Sequence, residues 1–190
     1  MVSRKKDPYA PLRSMPFMFW HDLSEWVDDS FRTPIGIALI DIMAHLARTP
    51  DEWLSVETFY RSAGLKVKSA RARRMAEGLA RNFDDWYNIL GNSIPRSAQF
   101  RRGQQEVRRR CSSFGQFLKY SHSIADQDGY ETERQEIFSI LTRRAKTFDQ
   151  VYEVWMFARS LGAATRNGIR EQLHQLITTP EQAERIRLQE

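Results

Sequence analysis

Cysteine is nearly absent: the chain holds one, Cys111, among 190 residues. A lone thiol makes no internal disulfide and offers no metal-ligand set, so the sequence reads as a reduced, cytoplasmic protein with no metal or other cofactor. Long apolar runs are missing too. Nothing approaches the ~20 residues of a bilayer span, so no membrane association is expected. The opening MVSRKKDPYAPLRSM lacks the apolar core of a secretory signal. The marks of a catalyst are also wanting. His21, His45, His122 and His174 stand in four separate segments, with no HxxxH or CxxC spacing, no GxxxxGK[ST] phosphate loop and no GxSxG elbow. Asp84-Asp85 is an acidic pair, but adjacent residues at a turn seldom converge on one atom. These absences argue against an enzyme. The chain shows no internal repeat and no low-complexity segment.

What it has is a core and a localised charge. A hydrophobic fraction of 41%, with 5 Trp, 6 Tyr and 11 Phe, is ample for a folded domain. Net charge is +5. Residues 61–110 carry 13 Lys/Arg (Arg61, Lys66, Lys68, Arg71, Arg73, Arg74, Arg81, Arg96, Arg101, Arg102, Arg108, Arg109, Arg110) against 4 acids, a net +9 that leaves the remainder at −4. A basic middle third in an otherwise acidic chain is a footprint for a polyanion; a solvated arginine-rich surface is the plainer reading.

Hydrophobic periodicity predicts a mainly α chain. Residues 1–15 read as a flexible basic arm. Pro16–Phe31 reads as an amphipathic helix, and Pro34–Arg48 as an almost wholly apolar one whose polar stripe is Asp41, His45 and Arg48. Glu52-Trp53-Leu54 suits a very short strand. Ser55 then caps a helix Val56–Ala63 that Gly64 ends. The next helix, Lys66–Arg81, buries Ala72, Met75, Ala76 and Leu79. It turns Ala70, Arg71, Arg74, Glu77, Gly78 and Arg81 outward, with Arg73 at the flank. Trp86–Leu90 is branched and aromatic, hence a strand. Gly91-Asn92-Ser93 is turn material, and Ile94–Phe100 is an edge strand or loop. Helices follow over Gln104–Ala125, Glu131–Lys146, Phe148–Leu161 and Ala164–Ile177, with a last polar one to Glu190. Cys111 lies on an apolar stripe and reads as core; exposed beside Arg108, Arg109 and Arg110 it would instead be a redox-sensitive thiol.

Two helices joined by a tight turn, the second rich in arginine, are a common means of placing a helix in the DNA major groove. On that reading Lys66, Lys68, Arg81, Arg101 and Arg102 dock on phosphates. Arg71, Arg73 and Arg74 read base edges, and small Ala70 and Gly78 permit close approach.

From FWHDLSEW through IGIALIDIMAHLARTP, EWLSVETFYRSAGL, KSARARRMAEGLARNF, the hairpin and the long helix beyond it, the order of parts over Phe17–Ala125 resembles the MarR-type winged-helix regulators. The resemblance implies a winged helix-turn-helix domain over 16–125 with a β-hairpin wing, followed by a helical region over 126–190 for packing or dimerisation. It further implies a homodimer on double-stranded DNA, with Ser69, Ala70, Arg71, Arg73 and Arg74 facing the duplex and Arg96, Arg101 and Arg102 in the wing. The expected role is transcriptional regulation. Alternatives are a plasmid or phage replication, partition or conjugation accessory and a helical protein adaptor; no small-molecule effector is assigned.

Overall fold

The computed structural model describes residues 15–26 and 32–189, with side chains for all of these except 24–26. The expected basic arm therefore lies, Met15 apart, outside the described residues. Among those described the α-helices are α1 (Phe17–Trp26), α2 (Pro34–Leu46), α3 (Pro50–Ser62), α4 (Lys66–Leu79), α5 (Phe83–Gly91), α6 (Ala98–Arg110), α7 (Phe114–Ile124), α8 (Glu131–Arg144), α9 (Phe148–Phe157), α10 (Ala163–Gln175) and α11 (Pro180–Arg187). A 3-10 turn over Ala158–Leu161 joins α9 to α10.

The chain is mainly α, as its periodicity indicates. No strand occurs among the described residues, so the β-hairpin wing is corrected. Trp86–Leu90 lies inside α5. The Asn82 side chain accepts from the Asp85 N–H, and the Asp85 carboxylate accepts from the N–H groups of Arg81 (2.7 Å) and Asn82 (3.2 Å). This capping box starts a helix, whose buried face of Phe83, Trp86, Ile89 and Leu90 outweighs the β propensity of its residues. Glu52-Trp53-Leu54 is helical for the same reason. Thr49, not Ser55, is the N-cap, with Pro50 at the first helical position. The long helix expected over Gln104–Ala125 is interrupted at residues 111–113, where Ser113 caps α7.

By its contacts the chain divides into two compact units, 1–106 and 107–190. In the first, Phe17, Trp20, Ile40, Met43, Ala47, Val56, Tyr60 and Ala72 form one core. Leu65 N–H reaches back to the Tyr60 carbonyl (2.8 Å) and Gly64 N–H to that of Arg61 (3.0 Å), with Gly64 at φ +76°. This is a Schellman ending, so α4 reverses back along α3. Late α3 meets early α4, with Lys68 Nζ 5.4 Å from the Tyr60 ring centroid. Mid α3 meets mid α4, with Glu57 3.4 Å from Arg73. The pair is an antiparallel hairpin along most of its length.

The second unit repeats this construction. Tyr120 of α7 donates to Glu133 of α8 at 2.6 Å, and Arg144 at the far end of α8 lies 4.7 Å from the ring centroid of Phe117. Arg166 of α10 stacks on Trp155 of α9 at 4.5 Å. Arg185 of α11 pairs with Asp149 at 2.7 Å.

An internal repeat was not expected from the sequence, and the structure corrects this. Thr49, Asn82, Ser113, Thr147 and Thr179 each cap a helix, at intervals of 31 to 34 residues. Three positions on, Glu52, Asp85, Gln116, Gln150 and Gln182 each accept from the backbone N–H just before the cap, at 2.6, 2.7, 2.9, 2.8 and 2.8 Å. Six residues before the caps, Met43, Ala76, Val107, Leu141 and Leu173 are each 0% exposed; seven after them, Val56, Ile89, Tyr120, Val154 and Ile186 are at most 2% exposed. The same geometry recurring five times defines a two-helix repeat. The signal was present as LARTPDEW at 46–53 and LARNFDDW at 79–86. Elsewhere only the residue class is kept, which is all that a cap and a buried site demand.

Candidate nucleic-acid interface

α4 has two arginine environments. Its inner face buries Ser69, Ala72, Arg73 and Ala76. Arg73, 3% exposed, is enclosed because it falls in line with Ser69 and Ala76, one turn away on either side. Its guanidinium donates to Glu57 (3.4 Å), to the carbonyls of Ile89 (2.7 Å) and Asn92 (3.3 Å), and to Ser93 Oγ, and stands 3.6 Å from Glu77. Arg61 pairs with Glu57 at 3.2 Å and Arg102 with Glu77 at 3.1 Å. Three guanidiniums and two buried carboxylates thus tie α3, α4, α5 and α6 together. A buried arginine needs such compensation. Arg73 is structural, which corrects its assignment to DNA; Ser69, 9% exposed, is likewise turned inward.

The outer face is different. Val67, Arg71, Arg74 and Gly78 recur at i, i+4, i+7 and i+11 and form one solvent-facing line, flanked by exposed Lys66 and Ala70. Val67 is 83% exposed. Met75, expected in the buried stripe, is 41% exposed; Ala72 and Ala76 back the helix instead. Arg71 and Arg74 make no ion pair with the described residues. A Cβ added to Gly78 would meet nothing within 4 Å, so the fold does not require glycine there.

The remaining candidates separate by environment. Lys68 Nζ holds Asp41 at 2.6 and 2.8 Å, and Asp41 also accepts from Tyr60 at 2.6 Å. Burial, followed by that hydrogen bond and the Asp41 charge, pushes the Tyr60 hydroxyl well above its ordinary range. Arg81 is exposed, and its guanidinium donates to the Gly78 carbonyl (2.9 Å), so it caps the end of α4. Arg48 does the same at the end of α2, donating to His45 (2.8 Å) and Ala47 (2.9 Å). Arg96 occupies a turn at φ +64°. Arg101 and Arg102 lie on α6, not on a wing, and both are exposed on a helix whose inner side holds Phe100 and Gln104.

Cys111 is half-buried, and its Sγ donates weakly to the Gln116 carbonyl at 3.7 Å. Burial pushes its thiol up to about 11, despite the opposing charges of Arg108 and Arg144. Among the described residues no three His, Cys, Asp or Glu side chains converge as metal ligands, and no helix is long and apolar enough to cross a membrane. No protein-family model, curated protein or solved structure matches the chain.

Proposed function

We propose that the chain binds nucleic acid through the outer line of α4, with Lys66 beside it and Arg101 contributing from α6. The observation that carries this reading is the pairing state of the arginines. The fold neutralises Arg73 and Arg102 with carboxylates but leaves Arg71 and Arg74 exposed, one turn apart and unpaired. Two aligned guanidiniums with a glycine beyond them suit phosphate oxygens or base edges. With no hairpin to lay on the backbone, the reading keeps the helix and drops the wing. Regulation of transcription remains the expected role. A plasmid or phage accessory would use the same surface, and mapping the bound sites to promoters or to replication and transfer origins separates the two.

The test is fluorescence anisotropy on labelled DNA across a salt series. Log affinity should fall linearly with log salt, and Arg71→Ala with Arg74→Ala should reduce the slope by about 0.7–0.9 per lost phosphate contact. An unchanged slope rejects the surface. Exposed Val67 and Met75 beside the same arginines favour a second reading, an acidic amphipathic protein segment. Absence of DNA binding at low salt would point to it.

A further inference from the structure

A cavity of about 430 Å³ opens between α2, α3 and α4. Its size is that of a small-molecule site, and its walls have two characters. Trp53, Tyr60 and Met75 supply aromatic and thioether surface, while Lys68 and Arg71 supply the cations. Asp41 already holds Lys68 and Tyr60, so Arg71 is the cation left uncommitted, with His45 the further titratable group on the wall. The cavity thus combines aromatic and thioether side chains with a guanidinium that also belongs to the outer line of α4.

We propose that this cavity takes one unstacked nucleobase, its neighbouring phosphate resting on Arg71 and Arg74, so that the chain prefers single-stranded to duplex nucleic acid. The inference rests on the proposed α4 surface and adds the form of the ligand. A base offers a flat ring to the Trp53 and Met75 side chains on the cavity wall. In a duplex that ring is sequestered by stacking, whereas single strands present it to aromatic platforms. Arg71 joins the two parts of the site, since it lies on the wall of the cavity and on the phosphate-facing line.

The test uses the full chain and four probes: a short single strand in deoxyribo and ribo form, the deoxy strand annealed to its complement, and the same strand with its bases removed. At matched salt a single strand should bind about tenfold tighter than the duplex and than the abasic strand. Trp53→Leu should abolish that preference while leaving abasic binding unchanged. Met75→Ala, at an exposed position, should weaken single-strand binding without unfolding the chain, and it decides the matter if Trp53→Leu does not fold. Equal binding of duplex and single strand, or of abasic and intact strand, overturns the base site and leaves the α4 surface standing. No binding to any probe at low salt overturns both.

Discussion

Replacing Arg73 by methionine removes the guanidinium that stands between Glu57 and Glu77, leaving them Arg61 and Arg102 alone, and takes a donor from the Ile89 and Asn92 carbonyls. Loss of one partner from a buried charge network costs about 3–5 kcal/mol. Urea unfolding of Arg73→Met should show a loss of that order, whereas Arg74→Met, one residue away but exposed, should change stability by less than about 0.5 kcal/mol. The sequence could not separate the two. Both sit in an arginine run, and only the placement of Glu57 and Glu77 decides which one is enclosed. Protonation gives a second prediction at this scale. Cys111, Tyr60 and Tyr120 all have their ionisation pushed upward, foremost by burial. The folded state holds these protons to higher pH than the unfolded chain does, so their contribution to stability is intact below about pH 9 and is lost as pH rises through the folded values. Stability should therefore fall between pH 9 and about 11, with Cys111→Ala flattening the decline. Alkylation of Cys111 at neutral pH should be slow until urea is added; rapid reaction of the native thiol would restore the redox reading.

The caps decide where each helix begins. Thr147→Ala removes the oxygen that accepts the Gln150 N–H and should cost about 0.5–2 kcal/mol, as should the equivalent change at Thr49, Ser113 or Thr179. Gly78 is the converse case. Its φ is ordinary for a helix and a Cβ there meets nothing, so Gly78→Ala should stabilise by about 0.5–1 kcal/mol while weakening nucleic-acid binding. Stabilisation without weaker binding would remove Gly78 from the interface. Helices α2, α8, α9 and α10 were legible from periodicity, and α4 nearly to its ends. The misread segments share one cause. Trp86–Leu90 and Glu52–Leu54 have strand-like composition, yet a preceding Asn82 or Thr49 with an acceptor three residues on commits them to helix. Cap chemistry outranked side-chain propensity, and the lost strands took the wing with them.

The two-helix period is the property of the whole chain that governs the rest. It was hidden because the repeat preserves burial and capping rather than identity: Ala76 and Leu141 serve the same site, as do Val56 and Tyr120. It also explains the charge pattern. Each hairpin turns one helix face to solvent, and α4 and α6 carry most of the unburied cations of the basic middle third. Of the candidate site, the outer face of α4 was legible and Arg71 and Arg74 remain on it. The cavity beside it was not, since it draws on Asp41, Trp53, Tyr60 and Arg71 from three helices. The most direct measurement is arginine-specific chemical footprinting, read by mass spectrometry with and without a bound oligonucleotide. Arg71 and Arg74 should react in the free protein and be shielded in the complex, while Arg73 stays inert in both. Reaction of Arg73 in the free chain, or Arg71 and Arg74 left unshielded by saturating ligand, would contradict the division of α4 into a structural and a binding face.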